Sequence, residues 1–282
     1  MTNIPRVSVL IPLHNCEKTV FRAIDSVLQQ TYTDFEVVCV LNNCSDATED
    51  ILRDIQDERI KIVYQNKLKG ITPTLNHGFR HCRGEFIARQ DGDDYWYPEK
   101  LKKQMDYFES NPEVDILGTQ IRMVTSDGQD FVNRDAGYAT SQNKLVAWDA
   151  GNPETDQEIR GLLLEGDNVI AHPSVVMRAI VLDCVGGYDP LYIRAEDLHL
   201  WMKALPFFTF ANLQEVLVDY TVKESSKEDW MWAQDWKMAE CLKPFILILE
   251  EEDLRAGKSR RDFLKSVGAN PLTPVPPHKP LK

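Results

Sequence analysis

The chain has 282 residues, 43% of them hydrophobic and 9% aromatic, enough apolar material for a large core and too much for global disorder. Its formal net charge of −12 argues against sequence-blind nucleic-acid binding and against anionic lipid surfaces, both of which draw on Lys and Arg. The length suits one large α/β domain or about two ordinary ones.

Val7–Leu13 is a continuous apolar run and predicts a buried parallel strand. Lys18–Gln30 carries helical spacing at Val20, Phe21, Ile24, Val27 and Leu28, with Thr19 as the expected cap. Phe35–Leu41 predicts a second strand. Asn42–Thr48 is a turn rich in capping residues, and Glu49–Ile55 begins a helix. Ile60–Tyr64, Thr72–His81 and Glu85–Arg89 predict strand, helix and strand. This alternation implies parallel strands with right-handed crossovers, and such sheets bind ligands beyond the carboxyl ends of their strands. Three polar clusters fall there: His14-Asn15, Asn42-Asn43 and Asp91-Gly92-Asp93-Asp94.

Beyond Pro98 the pattern loosens. Glu99–Glu109 predicts a helix and Asp115–Val124 a strand, while Gln129–Asp156 reads as a polar loop. Ile159–Leu164 and Met177–Val185 read as helices, Ala171–Val176 as a strand, Glu196–Leu205 as a helix and Glu215–Val222 as a strand. Asp229–Glu250 reads as a helix. Trp232 and Trp236 share one of its faces, and Trp230 lies close by. Packing is the favoured role for these tryptophans, with the lining of a ligand groove or a homodimer contact as the alternatives. Pro271–Lys282 has five prolines in twelve residues and predicts an extended tail. The six cysteines show neither C-x-x-C nor zinc-ribbon spacing and read as reduced thiols of a cytoplasmic protein. Met1–Arg6 runs straight into a strand without a signal peptide, and Phe245–Leu249 is far below the roughly 20 residues of a membrane span. A soluble chain with at most peripheral membrane contact is expected.

The acidic cluster carries the sharpest chemistry. Three carboxylates in four residues repel one another unless a cation lies between them. Oxygen ligands on a tight turn suit Mg2+ or Mn2+, and Gly92 permits close backbone approach. A solvated turn leading into the helix after Pro98 is the plainer reading of such a cluster taken alone.

Four ordered motifs resemble glycosyltransferase family 2, whose GT-A fold is a Rossmann-like, mostly parallel sheet flanked by helices. Val7-Ser-Val-Leu-Ile-Pro-Leu-His-Asn15 resembles the family's opening strand. Gln29-Gln-Thr-Tyr-Thr-Asp-Phe-Glu36 is similar to its Q-T-x-x-x-x-E link, and Gly84-Glu-Phe-Ile-Ala-Arg-Gln-Asp-Gly-Asp-Asp94 to its G-E-Y-I-x-x-x-D-x-D-D signature. Ala195-Glu-Asp-Leu-His-Leu-Trp201 resembles its E-D-x-x-L-W motif. The match spans roughly residues 5–222.

The resemblance implies an inverting, metal-dependent transferase that moves one sugar from a nucleotide-diphospho-sugar, with UDP-sugars favoured. The acceptor would be a hydroxyl of a glycan, lipid-linked glycan or protein, as in polysaccharide biosynthesis. It implies metal ligation by Asp93 and Asp91. It implies contacts to the donor nucleotide from Pro12, His14, Asn15, Asn42, Asp91 and Gly92. Asp197 would be the general base, with Glu196 as fallback, and His172 would line the acceptor side or serve as a structural histidine. Trp96, beside the acidic cluster, reads equally as an acceptor-side residue stacking on a sugar or base and as core packing. A catalytic domain over 1–222 follows, with a nucleotide-sugar half over about 1–98 and an acceptor half over about 99–222. A helical C-terminal extension over 223–270 and the tail over 271–282 complete the chain.

Two departures stand out. Asn42 occupies the position where the family usually has an aspartate for the base, which favours UDP less. Asn76 lacks the arginine that often precedes it, so Lys67, Lys69 or Arg89 are candidates to help hold the diphosphate. The Q-x-x-R-W motif of processive synthases is absent, which favours single addition. The rival readings are a GT-A-like binding module without catalysis, supported by Asn42, and a sugar-nucleotide pyrophosphorylase. The latter lacks support because Pro12-Leu-His-Asn-Cys-Glu17 is not its Gly-rich basic loop.

Overall fold

The computed structural model describes residues 4–131, 137–139, 145–147, 151–192 and 195–222. The expected C-terminal helix, its three tryptophans and the proline-rich tail lie outside the described residues.

The chain begins β1 (Val7–Leu13), α1 (Val20–Leu28), β2 (Phe35–Leu41), α2 (Thr48–Asp54), β3 (Ile60–Tyr64), α3 (Ile71–Phe79) and β4 (Phe86–Arg89). It continues with β5 (Tyr95–Trp96), α4 (Lys100–Ser110), β6 (Ile116–Val124), β7 (Gly137–Ala139), β8 (Leu145–Ala147) and α5 (Asp156–Leu164). A 3-10 turn (His172–Ser174), β9 (Val176–Arg178), α6 (Ala179–Val185), α7 (Glu196–Ala204) and β10 (Phe210–Thr221) complete it. Eight strands form one sheet in the order β3-β2-β1-β4-β9-β6-β10-β5, and β7 and β8 pair as a separate hairpin. Strands β3, β2, β1 and β4 are mutually parallel. Strand β9 then runs antiparallel between β4 and β6, which brings the second half of the chain into the first half's sheet.

Strand periodicity divides the core into two layers. Val7, Val9, Ile11 and Leu13 of β1 face one layer with Val37, Cys39 and Leu41 of β2, under α1 and α4. Leu10, Val38 and Val40 face the other, under α3, α5, α6 and α7. Because both faces are covered, β1 and β2 are apolar at nearly every position instead of alternating.

Several expectations shift, among them the loop expected over 129–156, which holds the β7–β8 hairpin. Ala171–Val176 is not a strand throughout. Pro173 has no N–H for a ladder, the Ser174 amide turns back to the Ala171 carbonyl at 2.9 Å, and pairing starts at Val176. Met177 therefore belongs to β9 and not to the helix that follows it. Strand β10 begins five residues earlier than predicted, because register shifts around Gln214 and Glu215 expose polar residues in the middle of a paired strand. Thr19 precedes α1, yet its hydroxyl does not cap the helix; it donates to the Gly92 carbonyl at 2.7 Å.

The motif Gln29–Glu36 is scaffolding. Gln30 Nε2 donates to the Tyr97 carbonyl at 2.8 Å, and the Thr31 amide to the Pro98 carbonyl at 2.9 Å, so the chain leaving the acidic cluster is pinned to α1. Glu36, buried in β2, accepts from Ser8 Oγ at 2.7 Å and from the Arg83 amide at 2.8 Å, which fixes the entry to β4. Among the described residues no helix is long and apolar enough to cross a membrane. The five described cysteines are all free thiols.

Candidate active site

Strand β4 pairs with β1 only as far as Leu10, and the chain then leaves the sheet at Gln90. Pro12 sits beyond that point, paired with Val40 alone, where its missing N–H costs no ladder bond on the β4 side. This divergence opens the carboxyl end of the sheet. The Asn42 amide donates to the Leu13 carbonyl at 2.9 Å, and His14 Nδ1 lies 2.6 Å from the Asn42 carbonyl oxygen, so the ends of β1 and β2 meet there. Asn15 Oδ1 accepts the Ser45 amide at 2.8 Å.

The turn 91–94 is held from three directions. Thr19 Oγ1 donates to the Gly92 carbonyl, and Arg22 Nη2 and Thr221 Oγ1 donate to the Asp93 carbonyl at 2.9 and 2.6 Å. The Thr221 amide donates to Asp94 Oδ1 at 2.7 Å. Gly92 is required by close approach: a Cβ there would meet Leu13 Cδ2 at 2.6 Å and Cys16 Sγ at 3.1 Å. With its backbone spent inward, the turn presents its carboxylates as a group.

Asp91, Asp93 and Asp94 each offer an oxygen within 4.8 Å of the others'. Asp94 is buried, and its Oδ2 has no hydrogen-bond partner. Burial, then the charges of Asp91 and Asp93, push its carboxyl well above the usual range. Asp91 is ion-paired with the buried Arg89. Burial alone would loosen the Arg89 proton, but the charge and hydrogen bond of Asp91 outweigh it and hold the guanidinium more firmly protonated. A crowded oxygen set with one orphaned buried atom fits a hard divalent cation.

The second acidic pair begins α7. Glu196 and Asp197 are partly buried in its first turn, where the helix dipole favours negative charge. Ala195 before them is left-handed, with φ 54°. The other described non-glycine residues with positive φ are Asn15 at 49° and Asn43 at 50°, each just past the carboxyl end of β1 or β2. Such strain, about 1–2 kcal/mol for an alanine, gathers where a site requires it. Asp197 Oδ1 accepts the Leu198 amide at 2.8 Å, and Oδ2 accepts Asn168 Nδ2 at 2.7 Å. Burial and then the neighbouring Glu196 raise the Asp197 carboxyl above its ordinary range. Burial likewise raises Glu196, and Arg89 opposes that rise.

His172 joins the two acidic groups. Its Nδ1 lies 3.7 Å from Glu196 Oε1, and its Nε2 lies 2.9 Å from the Tyr188 hydroxyl. Burial and then the Arg89 charge push the ring down to about 3, so the imidazole is neutral. Arg89 contacts Asp91 and lies in electrostatic reach of Tyr188 and Glu196. The end of β4 thus faces both acids.

Several predicted positions turn inward. Trp96 does not line the acceptor side. It is fully buried, its Nε1 donates to the Pro173 carbonyl at 2.9 Å, and Lys100 Nζ lies 3.8 Å above its ring. Its alternation with Tyr95 and Tyr97 along the short β5 puts it on the core face. Asn42 is also buried. Its Nδ2 donates to the Leu68 carbonyl at 2.9 Å and to Thr74 Oγ1, so it anchors the approach to α3. Asn76 docks on the Tyr188 backbone, donating to its carbonyl at 2.7 Å and accepting its amide at 2.9 Å. Gly187 makes that docking possible, since a Cβ there would lie 2.5 Å from Asn76 Oδ1. Lys67 and Lys69 are exposed. The sequence reading did not single out Asn168, Tyr188 or Thr221. The nearest signal was the run from Asp167 to Ser174, which leads into His172.

The glycosyl transferase family 2 profile matches residues 8–171. The putative glycosyltransferase EpsE of Bacillus subtilis (strain 168) is 32% identical over 232 residues, covering 80% of this chain and 76% of that one. The O-antigen biosynthesis glycosyltransferase WbnJ of Escherichia coli is 29% identical, covering 79% of this chain and 82% of its own. S. aureus TarS 1-349 in complex with UDP-GlcNAc superposes with a TM-score of 0.66 at 18% identity, covering 91% of this chain and 72% of that one. Against a longer TarS chain the match spans 38% of its length. The mannosyltransferase PcManGT from Pyrobaculum calidifontis, in complex with GDP-Man and Mn2+, gives 0.59 at 16% identity, covering 95% and 80%. The structural likenesses establish the GT-A fold. The chain belongs to glycosyltransferase family 2, and its activity is glycosyl transfer from a nucleotide-sugar donor.

Proposed function

We propose that this chain is a metal-dependent, inverting, non-processive glycosyltransferase. It moves one sugar from a nucleotide-diphospho-sugar to a hydroxyl of a glycan, lipid-linked glycan or protein. The observation that carries this reading is the convergence on the end of β4: the acidic turn 91–94 and the pair Glu196-Asp197 both face Arg89 and His172. A transferase needs a place for an anionic donor and a base for the acceptor, and these are two such groups side by side.

Asp93 and Asp91 would hold Mn2+ or Mg2+, with Arg89 fixing the Asp91 carboxylate. Such a cation supplies Lewis-acid stabilisation to the leaving nucleoside diphosphate. Asp197 takes the proton from the acceptor hydroxyl as its oxygen attacks the anomeric carbon and the bond to the diphosphate breaks. One displacement with one base inverts that carbon. Burial and then the neighbouring Glu196 raise the Asp197 carboxyl, which moves it towards the range that suits a general base. Neutral His172 adds no positive charge beside the base. The ends of β1 and β2, with Pro12, His14, Asn15 and Gly92, wall the donor side. Asn42 contributes by anchoring residues 68–74 instead of by reaching the nucleobase with its amide.

UDP-sugars remain the favoured donors, in keeping with the UDP-GlcNAc held by TarS. Residues 1–222 form the catalytic domain in this reading, with the donor half ending near Pro98. The test is a thermal-shift screen of UDP-Glc, UDP-Gal, UDP-GlcNAc and GDP-Man, with and without Mn2+. One of these donors should raise the Tm only with Mn2+, and Asp93→Ala should abolish the rise. A metal-independent rise that survives Asp93→Ala removes the metal from the proposal.

A further inference from the structure

Asn168 and Asp197 lie 29 residues apart in the chain, yet the Asn168 amide reaches the Asp197 carboxylate at 2.7 Å. The two carboxylate oxygens have different keepers. Oδ1 is held at 2.8 Å by the Leu198 amide of its own helix, and Oδ2 by Asn168. Leu198 alone would leave the carboxylate plane free to swing about its terminal torsion, which is broad for aspartate. A second donor on the other oxygen stops that swing.

Asn168 is itself placed from both sides. After α5 the Gly166 and Asp167 amides fold back onto the Leu163 and Leu162 carbonyls at 2.9 and 3.0 Å. One residue further on, the Val169 carbonyl accepts Asn212 Nδ2 at 3.2 Å, and the side chains of Val169 and Ile170 are buried. The amide orientation follows from chemistry, because only the NH2 end can bond an ionised carboxylate. That leaves Asn168 Oδ1 buried without a hydrogen-bond partner. An apolar residue would avoid the cost of that orphan. The bond to Asp197 is the compensating interaction.

We propose that Asn168 is a positioning residue for proton transfer, holding the Asp197 carboxylate in one orientation. This rests on the reading of Asp197 as the base. Among the described residues, the groups facing Asp197 are Glu196 and the Leu198 amide on α7, His172 on the 3-10 turn, and Asn168. Arg89 and Asp91 act on Glu196 and His172 from the end of β4. A donated hydrogen bond favours the charged carboxylate, so its removal raises the proton affinity of Asp197.

The experiment uses the full chain and two readouts. Carbon-13 NMR titration of aspartate carboxyls, with the Asp197 signal assigned from Asp197→Asn, follows its pKa without substrate. Release of nucleoside diphosphate from UDP-Glc, UDP-Gal, UDP-GlcNAc or GDP-Man with Mn2+, water serving as acceptor, follows kcat and KM from pH 5 to 9. Asn168→Ala should raise the Asp197 pKa by about one pH unit and lower kcat about 10–100-fold, with donor KM little changed. Asn168→Asp, nearly the same shape, should raise the pKa further, since a second carboxyl then faces the first. It also carries the test if the alanine variant misfolds. An Asp197 pKa unchanged in both variants overturns the inference, whatever Asp197→Asn does to turnover. Full turnover in Asp197→Asn overturns the base assignment itself, and the positioning role with it.

Discussion

The turn 91–94 and the start of α7 each place acidic side chains near Arg89 and His172, and they are built differently. The turn follows its strand directly and is fixed by bonds to its backbone from Thr19, Arg22 and Thr221 and by the Thr221 amide on the Asp94 carboxylate. Its carboxylates are crowded, and one is buried and raised. The helix start is reached through a left-handed alanine, and Asp197 is oriented by one side chain from a distant segment. A rigid turn suits the binding of a charged donor, where the ligand geometry is constant. A base held by a side chain has a pKa that a single hydrogen bond tunes.

The largest expected effect separates the two regions. Asp93→Ala should lose donor binding and turnover together. Asp197→Asn should keep metal-dependent donor binding and lose transfer by about 10²–10⁴-fold. Calorimetric donor titration beside a turnover assay reads the contrast. If Asp197→Asn lost donor affinity and kept transfer, the division of labour would be reversed.

Gly92→Ala attacks the donor side through packing alone. The added Cβ meets Leu13 and Cys16 at distances that force a shift, so a loss of about 1–3 kcal/mol in stability is expected. Urea unfolding measures it, and donor affinity should fall with it because the turn carries the carboxylates. Unchanged stability and affinity would mean that the turn yields without effect, against the rigidity argued above.

The last effect is conditional on pH and concerns His172. Its folded pKa is depressed to about 3, against an ordinary value of 6.5. Between these values the unfolded chain takes up a proton that the buried ring refuses, so stability is fully present above about 6.5 and falls as the pH drops towards 3. The slope has an upper limit of about 1.4 kcal/mol per pH unit. His172→Gln should flatten the stability profile between pH 4 and 6 relative to the parent. An identical slope in both proteins would show that His172 is protonated when folded.

The same two regions differ in how far the sequence exposed them. The D-x-D-D run lies on contiguous residues after a recognisable strand, and the Glu-Asp pair opens a recognisable helix. Both were legible, as was the α/β order, because burial of a parallel strand on two faces leaves a continuous apolar run. For Trp96 the sequence left core packing and a sugar or base contact equally open. A two-residue strand carries too little periodicity to show which side faces inward, and only its pairing with Val218 settles that. Thr19 shows the same limit in another way: a cap-competent residue stands where a helix begins, but its hydroxyl accepts no amide of that helix and instead donates to the Gly92 carbonyl.

The sequence by itself determined the longer elements, the family and the two acidic groups, since these depend on residues adjacent in the chain or spaced by one helical or strand period, but not β5 or the β7–β8 hairpin inside the stretch read as a loop. The tertiary structure decided what stands behind each acid: Arg89 against Asp91, His172 against Glu196, Asn168 against Asp197. It also decided that Asn42 and Asn76 spend their amides on Leu68, Thr74 and Tyr188. Apart from the Arg89–Asp91 pair, these contacts join residues that are distant in the chain. Their distances follow from how β9 threads between β4 and β6 and from where α7 comes to rest, and no local pattern encodes that.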